Sequence, residues 1–268
     1  MPQFVFNPFT ARWSGDNAAS CAMAAELAYD TPSNIAATAA PWGFQDCEVL
    51  QRLAHDTLCF IASNAEMILV AFRGTDPQDL KNWMTDADLA LVTTPVGMVH
   101  GGFWRALDTV WDDLCFIIKS QQNKAQSIWL TGHSLGAALA TLATARFRLE
   151  LDKPINGLYT FGSPRVGDRG FAARFNVDFK ASTFRYVNDQ DVVTRVPPRA
   201  LLYSHVGTFL FFDALGEIHS SPQWWNLFLN AVEGTIDDFL DGKVGQITDH
   251  FVENYVHLTD QNRAVDPF

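Results

Sequence analysis

The chain has 268 residues, 48% hydrophobic and 18% charged, which excludes a disordered polypeptide and allows one large-cored α/β domain spanning 1–268. A formal net charge of −11 argues against nucleic acid or an anionic membrane surface as partner. No apolar run approaches the length of a membrane span, so stable membrane insertion is not expected.

Met1-Pro-Gln-Phe-Val-Phe-Asn-Pro8 lacks a basic n-region and a long apolar core. No secretory signal is read there, which fits either a cytoplasmic protein or a mature secreted form. Asp16 is read as the N-cap of a helix running to Tyr29, with Cys21, Ala22, Ala25, Leu27, Ala28 and Tyr29 on its apolar side. Pro32 and Pro41-Trp-Gly43 bracket a connection without a defined element. Cys47–Arg52, Thr57–Ser63 and Met67–Arg73 predict successive strands, the last two joined by a hairpin at Asn64-Ala-Glu66. Met67–Phe72 is apolar on both faces, as a central strand requires.

Beyond Arg73-Gly-Thr-Asp76, Leu80, Trp83, Met84, Ala87 and Leu91 fall at helical spacing opposite Asp79, Lys81, Asp86 and Asp88. The segment is either a surface helix fixed to the core or a moving lid, about 76–91. Residues 103–123 predict an amphipathic helix with Phe103, Leu107, Val110, Trp111, Leu114, Ile117 and Ile118 inward. Strands follow over 155–161 and 183–188, and 201–213 with the turn Ala214-Leu-Gly216 suggests a terminal hairpin. An aromatic-rich helix spans 224–239, Gly242 to Gly245 break it, and a last helix covers 249–258. Alternating strands and helices point to a mainly parallel central sheet flanked by helices, with its site along one edge.

Cys21, Cys47, Cys59 and Cys115 show neither C-x-x-C nor metal-type spacing and are read as buried free thiols. Up to two disulfides remain open in an exported protein.

The chemistry concentrates in Gly132-His-Ser-Leu-Gly136, between the apolar, β-prone Ile128–Thr131 and an Ala/Leu-rich helix from Leu135 to about Leu149. The pentapeptide alone arises by chance about 0.1 times in such a chain. In this strand-to-helix setting it is the pattern of a nucleophile elbow. Its glycines let the flanking backbones approach, and the turn lifts the Ser134 hydroxyl clear of the sheet. Leu135 then offers its backbone N–H to an oxyanion at a helix N-terminus.

A serine needs an imidazole to take its proton and a carboxylate to hold that imidazole. In chain order the acid is Asp191, with Asp189 as rival and Asp168 assigned to capping the next helix. The base is His250, after the glycine-rich break, with His257 seven residues on as competitor; His205 and His219 read as packing or surface histidines.

Phe72-Arg-Gly-Thr75, Asn82-Trp83 with Asp86, His100-Gly-Gly-Phe103, Gly132–Gly136, Phe161-Gly-Ser-Pro-Arg-Val-Gly167 and Asp191-Val-Val with Pro197-Pro198 occur together in this order. From Asp16 to Leu258 the chain resembles the class 3 lipases, the family of filamentous-fungal triacylglycerol lipases and their bacterial and plant relatives. The resemblance implies an α/β-hydrolase fold with a short helical lid and a triad of Ser134, Asp191 and His250. Asp249-His250 with Tyr255 is similar to the family's terminal motif. It further implies oxyanion donors at Thr75 and Leu135, with Leu80, Trp83, Met84 and His133 contributing to the lid or acyl pocket. Thr194 stands where many relatives carry proline, a departure expected to alter loop stiffness rather than chemistry. The implied activity is hydrolysis of lipid esters, met at an oil–water interface if the lid moves, with no metal or organic cofactor. A short-chain or feruloyl-type esterase, a monoacylglycerol lipase, a phospholipase A1, an acyltransferase and a catalytically silent lipid-binding protein are the alternatives.

Overall fold

The protein is described by a computed structural model covering residues 2–10, 12–53, 56–75, 90–122, 126–189, 191–230 and 248–268. The helices are α1 Gly15–Leu27, α2 Pro32–Ala39, α3 Gly101–Gln121, α4 Leu135–Leu151, α5 Arg169–Phe179, α6 Pro222–Asn230 and α7 Val252–Gln261. The main sheet is formed by β1 Asp46–Arg52, β2 Thr57–Ser63, β3 Met67–Phe72, β6 Ser127–His133, β7 Gly157–Phe161, β9 Thr183–Asn188, β11 Thr208–Phe212 and β12 Ile218–His219, in that spatial order. The five strands β3, β6, β7, β9 and β11 run parallel, and antiparallel pairs flank them. The remaining strands, β4 Leu91–Thr94, β5 Gly97–His100, β8 Gly167–Asp168 and β10 Tyr203–Ser204, make a small second sheet.

The period-2 alternation of the buried strands divides the core in two. Ile68, Val70, Phe72, Ile128, Leu130 and Leu158 face α3, α4 and α5. Met67, Leu69, Ala71, Trp129, Tyr159 and Phe161 face α1 and α7. Because both sheet faces are covered, β3, β6 and β7 are buried along their whole lengths. The register Phe72↔Gly132, His133↔Phe161 and Phe161↔Tyr186 brings the C-terminal ends of these strands into line, where an open α/β sheet places its ligand site.

Several elements depart from the sequence expectation. Ser14, not Asp16, caps α1 by accepting from Asn17 N–H, and Asp16 sits in the first turn, where its charge suits the helix dipole. The segment expected to lack structure holds α2, with Thr31 as N-cap and Pro32 at the first position, followed by a 3₁₀ turn over Ala40–Trp42. The hairpin β4–β5 was not expected. Helix α3 starts two residues early because the His100 ring caps it, Nδ1 accepting from Gly102 N–H and Phe103 N–H at 3.1 and 3.3 Å. Of the expected 201–213 strand, Tyr203–Ser204 joins the second sheet, and only Thr208–Phe212 enters the main one. The last helix begins at Val252, after a 3₁₀ turn over Thr248–His250. Cys21, Cys47, Cys59 and Cys115 are all unpaired thiols; burial pushes Cys59 up to about 12 and Cys115 to about 11.

Helix α7 packs on α1, and an ideal Cβ on Gly15 would lie 2.1 Å from the Arg263 carbonyl oxygen. Arg263 donates to Gln3 O at 2.6 Å and to Asp16 Oδ1 at 3.2 Å, joining the first and last described segments.

Candidate active site

Strand β6 delivers Ser134 to the sheet edge and α4 leaves directly after it. Ser134 has φ 57° and ψ −128°, a left-handed conformation that side chains rarely adopt. It is held there by Ser134 N–H donating to Phe161 O and Ala137 N–H donating to Ser134 O, both at 3.0 Å. The glycines are there for space: a Cβ on Gly132 would sit 2.4 Å from the Gly136 carbonyl, and one on Gly136 2.1 Å from Phe72 O. A Cβ on Gly74 would lie 3.0 Å from the Ser134 Cβ, so the β3 exit loop packs against the serine and Thr75 follows immediately. As first residue of α4, Leu135 has an N–H without an intrahelical acceptor.

Asp191 begins the 3₁₀ turn Val192–Arg195 after β9. Its Oδ1 accepts from Val193 N–H at 2.9 Å, while Oδ2 accepts from His250 Nδ1–H at 2.9 Å and from the Tyr255 hydroxyl at 2.6 Å. Asp191 and His250 are both buried. Burial alone would push the Asp191 carboxyl up; the His250 ring, by charge and hydrogen bond, and the Tyr255 hydroxyl outweigh it and bring it below its ordinary value. The carboxylate therefore stays ionised and fixes His250 with the proton on Nδ1, leaving Nε2 as the basic nitrogen. Ser134 Oγ and His250 Nε2 are both buried with no hydrogen-bond partner among the described residues.

The rivals lie elsewhere. Asp189 is half-buried, its carboxyl raised by burial and by Asp249, and no histidine hydrogen-bonds it among the described residues. Asp168 caps α5. His257 is exposed, His219 pairs with Asp213, and His205 donates Nε2–H to Thr194 O at 2.7 Å.

Two tyrosines extend the site. Tyr255 receives Asn188 N–H at 3.0 Å while donating to Asp191, and so ties β9 to the acid. Tyr29, expected on the apolar side of a helix, instead has its hydroxyl 2.8 Å from His133 Nδ1. His133 Nε2–H donates to the His250 backbone carbonyl at 2.6 Å, so Nδ1 is the acceptor for Tyr29. Burial and the neighbouring His250 push the His133 pKa well below its usual value and keep the ring neutral. His133, one residue from the candidate nucleophile, thus anchors the backbone of the candidate base. The Tyr255 contact had a sequence signal in the terminal motif; the Tyr29 contact had none.

A cavity of about 450 Å³ opens here, lined by Tyr29, Thr75, His133, His250, Phe251 and Val252. Glu26 and Glu253 also line it, with Glu26 raised by burial and by Glu253. Charge in its described lining is acidic, which disfavours an anionic occupant. Leu80, Trp83 and Met84 lie outside the described residues, as do all of 76–89 of the expected 76–91 lid and 231–239 of the aromatic-rich helix; Leu91, expected at the end of the helical stripe, instead begins β4 and pairs with His100.

Residues 69–201 match the family described as lipase (class 3). A triacylglycerol lipase of Arabidopsis thaliana is 29% identical over 252 residues, covering 72% of this chain and 48% of the relative. A secreted mono- and diacylglycerol lipase of Penicillium cyclopium is 32% identical over 201 residues, covering 70% and 59%. The chain thus spans about half the length of the curated relatives it matches. Among solved structures, the Rhizomucor miehei triacylglyceride lipase superposes with a TM-score of 0.63 at 26% identity, over 75% of this chain and 82% of that one. A triacylglycerol lipase described as having a serine-protease triad at its catalytic centre gives 0.56 at 28%, over 64% and 68%.

Proposed function

The chain belongs to the class 3 lipase family and has the α/β-hydrolase fold, and from that premise we propose that it is a serine-dependent carboxylic ester hydrolase acting on neutral lipid esters, a triacylglycerol lipase in type. The reading rests on one observation: Ser134 Oγ and His250 Nε2 are buried with no hydrogen-bond partner among the described residues, and His250 Nδ1 is tied to an ionised Asp191.

In this reading Ser134 Oγ attacks the ester carbonyl as His250 Nε2 takes its proton. The oxyanion collects the Leu135 N–H and the Thr75 N–H, with the Thr75 hydroxyl available as a third donor. Each such donor is worth about 10²–10³ in turnover. The imidazolium protonates the leaving alcohol, then His250 activates water to release the fatty acid. The acidic lining supports an uncharged acylglycerol over a phospholipid. The apolar stripe of Leu80, Trp83, Met84 and Ala87, ahead of β4, is assigned to a lid that meets the oil–water interface.

The test is hydrolysis of p-nitrophenyl esters from acetate to palmitate by the native chain and Ser134→Ala. A rate peaking at medium or long acyl chains and absent from the variant is expected. Full-rate hydrolysis by Ser134→Ala refutes the mechanism, and a peak at acetate moves the assignment to a short-chain esterase.

A further inference from the structure

A second cavity, about 350 Å³, shares no lining residue with the one beside the candidate triad and takes no part in the chemistry above. Arg165, from the loop after β7, and Arg185, from β9, line it at 1% and 3% exposure. Arg165 donates through Nη1 to the Arg195 and Pro197 carbonyls, and Arg185 through Nε to Val206 O at 3.2 Å. The Arg185 guanidinium is held near the rings of Phe209 and Trp225, 5.1 and 5.3 Å from their centroids. Arg165 Nη2 and Arg185 Nη1 remain buried with no partner among the described residues. The exposed Lys180 and Arg199 also line the cavity, and no carboxylate does so among the described residues.

Buried guanidinium groups facing one another without a counter-charge are costly. Burial and Arg165 pull Arg185 down to about 9, and burial and Arg199 pull Arg165 to about 10, the direction that repulsion without an anion produces. His205 at the same wall is neutral, its pKa lowered by burial and by Arg185 and Arg165, so it offers no further charge. In a chain of net charge −11 this is a local reversal of sign.

We propose that the cavity is a binding site for a phosphate-class oxyanion, whose oxygens take the free Arg165 and Arg185 donors. Four cationic side chains call for a dianion, and tetrahedral oxygens can reach floor and rim together, which a planar monocarboxylate does less well. The volume lies at the lower end for small-molecule sites and suits a phosphate bearing a small organic group. The source is either a free phosphate compound or the headgroup of a phosphomonoester lipid.

The full chain is titrated with inorganic phosphate and with glycerol phosphate, by calorimetry and thermal unfolding, against chloride at matched ionic strength. One site per chain and a melting temperature rising with the logarithm of phosphate concentration are expected. Arg199→Gln and Lys180→Gln, at exposed positions, should each weaken binding about five- to tenfold while still hydrolysing a soluble ester at the native rate. Retention on phosphatidylcholine vesicles only when phosphatidic acid is included, lost in Arg199→Gln and without response to free phosphate, assigns the lipid headgroup. The proposal is overturned if neither the free phosphate compounds nor the phosphatidic acid vesicles bind, or if chloride matches phosphate, or if both rim variants bind as the native chain does. Because the deciding readouts are of binding and ester hydrolysis serves only as the control, failure leaves the esterase assignment untouched.

Discussion

Gly162 carries no chemistry, yet alanine there should disable the site. Its φ is +58°, and a Cβ would lie 2.8 Å from Asp191 Oδ2 and 2.9 Å from both His250 Nδ1 and Cε1. Comfortable contact begins near about 3.5 Å, so the Asp–His pair must retreat by roughly half an ångström. The backbone adds about 1–2 kcal/mol, the cost of left-handed φ for a residue with a Cβ. Gly43 supplies the control: its φ is +94°, but nothing lies within 4 Å of its would-be Cβ, so Gly43→Ala bears the backbone cost alone. A displacement near 1 Å at a reacting group can cost about 10²-fold, so Gly162→Ala should lower kcat about 10- to 100-fold with KM nearly unchanged. Its stability loss should exceed that of Gly43→Ala by about 1–3 kcal/mol, the overpacking cost. The assay is steady-state hydrolysis of a soluble p-nitrophenyl ester, with urea unfolding of all three proteins. A Gly162→Ala enzyme within twofold of native kcat would refute the placement of the pair against this loop.

Three further outcomes follow from the same contacts. Tyr255→Phe removes one of three hydrogen bonds on a buried carboxylate and strands Asn188 N–H, and should cost about 1.5–3 kcal/mol in urea unfolding; a loss under about 0.5 kcal/mol would show the hydroxyl to be incidental. His133 and His205 are both held neutral with their pKa depressed, so the unfolded chain takes a proton at each before the folded one does, and stability falls as pH drops below about 6.5, at about 1.4 kcal/mol per pH unit for each ring. The depressed Asp191 adds stability that is present above the ordinary carboxylate range, near pH 4, and is lost only below it; urea midpoints flat from pH 7.5 to 5.5 would contradict the assignment of both rings. Trp83→Ala should reduce activity on emulsions more than on soluble esters, and equal loss on both would remove the interfacial role given to that stripe.

What could be read in advance was whatever local pattern encodes. The apolar runs of β2, β3 and β6 announced buried strands, and Gly132–Gly136 between strand and helix announced the elbow. Thr31-Pro32 encodes a cap followed by a first-position proline, the signal that α2 uses, within a stretch otherwise bracketed by prolines. The β8 and β10 strands, two residues each, have no period to detect. Nor does any local pattern join Tyr29 to His133 across 104 residues, or Arg165 and Arg185 to one cavity. Such contacts exist only once the parallel register is set. The Asp191–His250 pairing was legible because its partners fall in a fixed chain order after the elbow.

The docking of α7 on α1 bears on when activity can first appear during folding. His250 sits two residues before α7, and that helix rests on a partner whose sequence lies near the opposite end of the chain, with Arg263 reaching back to Gln3. Closing so long a loop adds little to the equilibrium cost, since that cost grows only logarithmically, but non-local pairings of this kind form late. The base therefore arrives after the nucleophile's own strand and helix are in place. Turnover should lag the recovery of buried tryptophan fluorescence during refolding, making catalysis a reporter of the final docking event.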